Sequence, residues 1–170
     1  MTDFAPPSFL RAQTPWRASE NHVTDTTAAD TEPTLPTVLL VDDDANFLDA
    51  LRRQFRDLRH KWRVLTAPDG AAALRVLQTE PVAVVVTDIL MPDLDGLGLI
   101  MELRKLDIDL KIITISGGGR HVGAEPLAYS QSLGADFVLP KPFEFTSLTS
   151  AIELCLDPSS PVPPTTRESL

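Results

Sequence analysis

Five short apolar runs, each followed by a segment with helical spacing, constrain the fold of this chain more than any other feature. The strongest run is Val82–Thr87, in which apolar residues stand at consecutive positions. Such a run is typical of a strand that is buried on both faces of a parallel sheet. The predicted strands are Thr37–Val41, Val64–Ala67, Val82–Thr87, Lys111–Ile115 and Phe137–Leu139.

The segments between these strands have the marks of helices. Asp44 is suited to cap the first one, in which Phe47, Leu48, Leu51, Phe55 and Leu58 recur at helical spacing. Gly134 is a typical residue to end the fourth. The alternation predicts an α/β fold whose parallel five-stranded sheet has helices on both faces. The later predicted helices are Ala71–Leu77, Leu97–Leu106, Leu127–Leu133 and Phe145–Leu156.

Proline is concentrated at the two ends of the chain. Of 15 prolines, five fall in residues 1–36 and four in residues 158–170. The first segment is also rich in Thr, Ala and Asp, and such a composition buries too little apolar surface to offset the entropy lost on ordering. We therefore predict a disordered N-terminal tail (1–36), a folded unit (37–157) and a disordered Pro-rich C-terminal tail (158–170).

The acidic balance of the chain excludes several classes of function. The chain has 15 Lys and Arg against 24 Asp and Glu, a formal net charge of −9. Nucleic acids and anionic membranes repel such a protein, so we expect neither as a partner. No apolar stretch is long enough for a bilayer, no signal peptide is evident, and the single Cys155 can form no intramolecular disulfide. We expect a cytoplasmic protein.

Polar residues follow the carboxyl ends of four predicted strands. Asp42 and Asp43 follow the first, Asp88 the third, Ser116 the fourth and Lys141 the fifth. Carboxyl ends of parallel strands meet at one edge, where ligands bind. Clustered carboxylates repel one another unless a cation joins them, and oxygen donors suit Mg²⁺. One carboxylate could then attack phosphorus, with the lysine stabilising the transferring phosphoryl group.

Taken singly, each of these residues also has an ordinary structural explanation. An acidic residue after a strand often caps a helix, a serine before three glycines often belongs to a turn, and a lysine is often a solvated surface charge. Their joint presence at the ends of different strands favours a functional site.

Four motifs resemble the receiver domain of bacterial two-component response regulators. The resemblance covers about residues 37–157. It implies a flavodoxin-like (βα)5 three-layer sandwich with a parallel sheet of order 2-1-3-4-5. The motifs are Val41-Asp42-Asp43, the segment 88–96, the strand that ends in Ser116, and Gly134-Ala135-Asp136 followed by Lys141-Pro142-Phe143.

The resemblance implies a role for each residue at the predicted edge. Asp88 would be the phosphoacceptor. Ser116 would be the switch hydroxyl that moves toward the phosphoryl group, and Lys141, before a cis Lys141–Pro142 bond, would pair with that group. The Mg²⁺ ligands would be the carboxylates of Asp42, Asp43 and Asp88 and the backbone carbonyl of Leu90.

The position three residues before Lys141 departs from the family pattern. The family often has Tyr or Phe there as an aromatic rotamer switch, whereas this chain has Val138, with Phe137 expected on the opposite face of the strand. We therefore expect activation to remodel the glycine-rich loop after Ser116 and the helix Leu127–Leu133 instead.

The positions that often orient a hydrolytic water carry no suitable side chain. Leu90 stands two residues after Asp88, and Gly118 two residues after Ser116. We therefore expect slow loss of phosphate. Arg120, in the same loop as Gly118, is interpreted as a solvated arginine rather than a phosphoryl ligand.

The resemblance implies a phosphorylation-activated signalling switch and not an enzyme. A histidine kinase or phosphotransfer protein would supply the phosphoryl group. The signal would pass to an unidentified protein target through the fourth helix, fifth strand and fifth helix. No effector domain is evident in 170 residues, so we expect a single-domain regulator, monomeric or weakly homodimeric.

Two other functions remain open from the residues alone. An aspartyl-phosphate hydrolase of the haloacid dehalogenase type needs a second Asp two residues after the nucleophile, and Leu90 occupies that place. A receiver used as a binding module without phosphorylation is disfavoured, because the predicted site residues are all present.

Overall fold

The computed structural model of the chain describes residues 34–106, 109–117 and 125–159, without the side chains of residues 125–128. Strands and helices alternate throughout this part, and a single 3₁₀ turn, Arg56–Leu58, follows the first helix. The elements are β1 (Thr37–Val41), α1 (Ala45–Phe55), β2 (Arg63–Ala67), α2 (Gly70–Thr79), β3 (Val84–Asp88), α3 (Gly96–Lys105), β4 (Lys111–Gly117), α4 (Glu125–Ser132), β5 (Phe137–Lys141) and α5 (Phe145–Leu156).

The five strands form one parallel sheet of order β2-β1-β3-β4-β5, as predicted. Every residue of β1 and β3 is buried, whereas the edge strands β2 and β5 are only partly buried. The register brings Val41 beside Thr87 and Asp88 beside Ile115. The carboxyl ends of the strands therefore lie along one edge of the sheet.

Two apolar clusters fill the space on the two faces of the sheet. Val38 and Leu40 of β1 belong to the cluster that contains residues of α1 and α5. Leu39 and Val41 belong to the other cluster, with residues of α2 and α3. Because successive side chains of a strand point to opposite faces, continuous apolar strands supply both clusters at once. The result is the predicted three-layer α/β sandwich.

The predicted element boundaries differ most at the strand ends. Both β4 and β5 run two residues further than predicted, because Ser116 pairs with Pro140 and Gly117 with Lys141 in the ladder. The first helix ends at Phe55, so Leu58 lies in the 3₁₀ turn instead of in α1. β3 starts at Val84 and α4 covers Glu125–Ser132, each two residues away from the predicted start.

Other local predictions agree with the structure. The Asp44 carboxylate caps α1 by accepting hydrogen bonds from the backbone amides of Asn46 and Phe47. Gly134 has a φ of 110°, a conformation that favours glycine after a helix. The peptide bond between Lys141 and Pro142 is cis.

Several predictions concern residues that the structure does not describe. The N-terminal tail falls there except for residues 34–36, and the C-terminal tail except for residues 158–159. Gly118 and Arg120, with the rest of the predicted loop to residue 124, also lie outside the described residues. Among the described residues, no helix is both long enough and apolar enough to cross a membrane.

An ion pair between a partly exposed arginine and a buried aspartate joins α3 to the segment before β5. The Arg104 guanidinium donates to a carboxylate oxygen of Asp136 at 2.8 Å, and the backbone amide of Ile112 donates to the same oxygen, also at 2.8 Å. Arg104 also donates to the carbonyl of Gly134. Removal of a buried hydrogen-bonded partner leaves the other groups desolvated and unpaired.

We therefore predict that Asp136→Ala lowers the free energy of unfolding by about 2–4 kcal/mol in urea denaturation. The matched control is Glu153→Gln, which removes the charge of a carboxylate in an exposed ion pair with Lys61 and should cost less than about 1 kcal/mol. Equal costs for the two variants would contradict the importance assigned to the buried carboxylate of Asp136.

Candidate functional site

Three charged residues meet where three strands end. Asp42 follows the last residue of β1, Asp88 is the last residue of β3, and Lys141 is the last residue of β5. Both aspartates are buried and the lysine is partly buried. The fold thus brings together residues that are far apart in the sequence, as the polar residues after the predicted strands indicated.

The Lys141 ammonium bridges the two buried carboxylates. Its Nζ lies 2.8 Å from Oδ2 of Asp42 and 3.0 Å from Oδ2 of Asp88. The second oxygen of each carboxylate is held by the backbone: Oδ1 of Asp42 accepts from the amide of Asp44 at 2.9 Å, and Oδ1 of Asp88 accepts from the amide of Ile89 at 2.7 Å. Both carboxylates are therefore fixed in orientation before any ligand arrives.

Asp43 adds a third carboxylate at the solvent side of this cluster. One carboxylate oxygen from each of Asp42, Asp43 and Asp88 lies within 4.8 Å of the others. Three carboxylates against the one ammonium of Lys141 leave an excess of negative charge. A set of oxygen donors with this excess fits a hard divalent cation such as Mg²⁺.

Burial and hydrogen bonding act in opposite directions on the pKa values of Asp42 and Lys141. Burial is the largest influence on Asp42 and raises the pKa of its carboxyl, although the hydrogen bonds from Lys141 and the Asp44 amide act to lower it. Burial acts to lower the pKa of Lys141, but its hydrogen bonds to Asp42 and Asp88 prevail and the pKa is raised. The ammonium therefore stays charged, while its hydrogen bond to Asp42 does not fully offset the effect of burial on that carboxyl.

The remaining predicted residues lie at the same end of the sheet. Ser116 is the next-to-last residue of β4, is buried, and follows Ile115, the ladder partner of Asp88. Leu90 lies two residues beyond the end of β3, with a half-exposed side chain. The hydroxyl role of Ser116 and the metal-ligand role of the Leu90 carbonyl stay predictions.

The structure also brings two aromatic residues to the site that the sequence analysis did not assign to it. The Phe47 ring lies under the Lys141 ammonium, with Nζ 4.2 Å from the ring centroid, and Phe143 packs edge-on against Phe47. Helical spacing placed Phe47 on the core face of α1, so its sequence position alone gave no sign of this contact. A pocket of about 440 Å³ opens beside these residues and Lys141, lined also by Leu51 and Phe145.

Gly96 lets the loop between β3 and α3 pack against the backbone of Asp88. Its amide donates to the carbonyl of Ile89 at 3.0 Å and closes the loop between β3 and α3. A Cβ at this position would lie 2.0 Å from the backbone oxygen of Asp88 and 2.8 Å from Cα of Ile89. Only a residue without a side chain fits so close to the backbone of Asp88.

Comparisons with known proteins agree with this geometry. A family model of the response regulator receiver domain matches residues 38–153. The transcriptional regulatory protein PrrA of Mycobacterium tuberculosis is 35% identical over 127 residues, which cover 75% of this chain and 52% of PrrA. The DNA-binding transcriptional regulator NtrC of Azospirillum brasilense is 32% identical over 125 residues, or 74% of this chain and 25% of NtrC. The chain thus spans about half the length of PrrA and a quarter of NtrC.

Solved structures show the same arrangement of elements. The receiver domain of the Francisella response regulator 1452 has a TM-score of 0.64 at 30% identity, with 71% of this chain and 96% of that one covered. A CheY-like receiver domain protein from Methanospirillum hungatei has a TM-score of 0.65 at 27% identity, with 73% and 95% covered.

We predict that Gly96→Ala lowers the free energy of unfolding by about 3 kcal/mol, because the new methyl group can be accommodated only if the backbone of Asp88 shifts. Urea denaturation measures the loss. Gly117→Ala is the matched control. Among the described residues, a Cβ there would meet only Cδ of Lys141, at an ordinary 3.8 Å, and its stability should be unchanged or slightly higher. A stable Gly96→Ala protein would contradict the close approach.

A second prediction follows from the raised pKa of Asp42. A carboxyl whose pKa is raised by folding stabilises the fold below its ordinary pKa, and this contribution is lost as the pH rises through the raised value. At pH 7 in EDTA, Asp42→Asn should therefore unfold at a higher urea concentration than the unmodified chain, and the difference should shrink in acid. Asp49→Asn, an exposed change on α1, should alter stability by no more than about 0.5 kcal/mol. If Asp42→Asn is less stable than the unmodified chain at pH 7, burial is not the largest influence on the pKa of Asp42.

Proposed function

The chain belongs to the response regulator receiver domain family of two-component signalling, and we propose that Asp88 is the residue on which it accepts a phosphoryl group. The observation that supports this most is the Lys141 ammonium between Asp42 and Asp88, at the ends of three parallel strands. This arrangement provides a nucleophilic carboxylate of fixed orientation next to an ammonium that can pair with the negative charge of an arriving phosphoryl group.

The phosphoryl donor in this proposal is a phosphohistidine of a histidine kinase or phosphotransfer protein. A carboxylate oxygen of Asp88 attacks phosphorus, an O–P bond forms, the N–P bond breaks, and the leaving imidazole keeps the electron pair and takes up a proton. The Lys141 ammonium moves its contact from the Asp88 carboxylate to a phosphoryl oxygen. Ser116 is buried and follows Ile115, the ladder partner of Asp88, and its hydroxyl donates a hydrogen bond to another phosphoryl oxygen.

Mg²⁺ fits the acidic side of the site. The residues that would hold it are Asp42, Asp43 and Asp88, whose oxygens lie close together, with the carbonyl of Leu90. When bound, it would neutralise charge on the transferring phosphoryl group. Asp43 is the most exposed of the three carboxylates, so a hydrated ion can approach from its side.

The proposed output is a change in protein contacts at α4, β5 and α5, without enzymatic turnover beyond phosphorylation and dephosphorylation of Asp88. We propose a cytoplasmic switch, monomeric or weakly homodimeric, that acts on a protein target and does not itself contact nucleic acid. The acidic net charge of −9 supports the last point.

The proposal predicts a phosphorylated form of the full chain after incubation with acetyl phosphate and Mg²⁺. Intact mass spectrometry should show one added phosphoryl group, because a small donor can reach the partly exposed edge of the site without a kinase. The adduct should be absent in Asp88→Asn and in EDTA. It should persist in Asp95→Asn, which changes a carboxylate on the same loop that caps α3 and is not part of the proposed site.

An adduct that survives Asp88→Asn would contradict the assignment of the phosphoacceptor. No adduct from acetyl phosphate or from a panel of phosphorylated histidine kinases would favour a receiver that acts as a binding module. Continuous release of phosphate from a phosphate ester would favour a hydrolase.

A further inference from the structure

We propose that Phe47 is a positioning residue, which holds the Lys141 ammonium between Asp42 and Asp88 through the face of its aromatic ring. The contact between the ring and the ammonium is present in the structure without any phosphoryl group. Its consequence for phosphorylation rests on the function proposed above.

The ammonium has three N–H groups, and the described contacts account for its orientation. Two neighbours are the carboxylate oxygens of Asp42 and Asp88, at 2.8 and 3.0 Å from Nζ. A further neighbour is the Phe47 ring, whose centroid lies 4.2 Å from Nζ. This distance is well within the range in which a cation is attracted to the negative face of an aromatic ring. The ring therefore supplies an attractive contact where water would otherwise reach the partly exposed lysine.

Phe47 is itself held in place through its backbone and through its ring. The backbone amide of Phe47 donates to the Asp44 carboxylate at 3.2 Å, so the N-terminal cap of α1 fixes the backbone of this residue. Phe143, two residues after Lys141, meets the ring edge-on, with centroids 6.2 Å apart and an interplanar angle of 89°. Edge-to-face contacts of this kind are favourable between aromatic rings. The ammonium thus lies over the Phe47 ring, and Phe143 holds that ring in its orientation.

A purely structural role for Phe47 predicts a different behaviour. Phe47 is partly buried and packs against the α1–α5 cluster, so a packing role requires only an apolar side chain of similar size. A positioning role requires the electron-rich face of the ring. The two roles separate when the shape of the ring is kept and its electrostatics are changed.

The test is a series of fluorinated phenylalanines introduced at position 47 of the full chain, from one fluorine to five. The first measurement is the exchange with water of the Lys141 ammonium protons by NMR, assigned by their loss in Lys141→Arg. We expect exchange to become about threefold to tenfold faster from phenylalanine to the fully fluorinated ring, as the attraction weakens. Exchange in Phe47→Leu should be at least as fast as with the fully fluorinated ring, and exchange in Phe47→Trp should be as slow as in the unmodified chain.

The second measurement is the rate constant for phosphorylation by acetyl phosphate in the same series, which should fall by a similar factor. Fluorination of Phe145 is the matched control. It lines the same pocket but packs on Phe55, with centroids 4.9 Å apart, so both readouts should stay unchanged.

Ammonium exchange that is constant across the series, that changes equally at Phe145, or that is too fast to observe in the unmodified chain would overturn the proposal. This holds even if the chain takes up no phosphoryl group, because the NMR measurement needs none. Conversely, phosphorylation of Asp88 with an unaltered ammonium signal would refute the role of Phe47 and leave the proposed function intact.

Discussion

The burial of two carboxylates beside one another is the constraint on which the rest of this site depends. Asp42 and Asp88 lie at the ends of adjacent strands, where both are largely removed from water. Their mutual repulsion is tolerable because Lys141 reaches both across the sheet. The ammonium balances only part of the charge once Asp43 is counted. This imbalance suits a divalent cation, which would in turn attract an incoming phosphoryl group.

The fold provides this arrangement through the register of its parallel strands. Apolar residues on both faces of β1 and β3 fix these strands in the centre of the sheet, so the residues at their carboxyl ends have little freedom to move apart. Gly96 brings the following loop against the backbone of Asp88, and the Arg104–Asp136 pair anchors the approach to β5 and hence Lys141. Packing far from the site thus determines its geometry.

Most of the fold and the charged part of the site could be predicted from the sequence. Buried parallel strands leave a strong apolar pattern, and the predicted order 2-1-3-4-5 and the meeting of Asp42, Asp88 and Lys141 follow from it together with the resemblance. The last residues of β4 and β5 could not be predicted, because a Pro and a Lys extend β5 only through pairing with β4. The contact of Phe47 with Lys141 could not be predicted either, since it depends on how α1 packs beside the turn after β5.

We propose that one site, formed by Asp42, Asp88 and Lys141, receives the phosphoryl group. The most direct measurement is a crystal structure of the full chain with Mg²⁺ and beryllofluoride, which imitates an acyl phosphate on a carboxylate. We expect beryllium bound to a carboxylate oxygen of Asp88, the Lys141 ammonium in contact with a fluorine atom, and a metal ion on the side of Asp42 and Asp43. Beryllium on another carboxylate, or an Asp88 that still contacts Lys141 and carries no adduct, would contradict it.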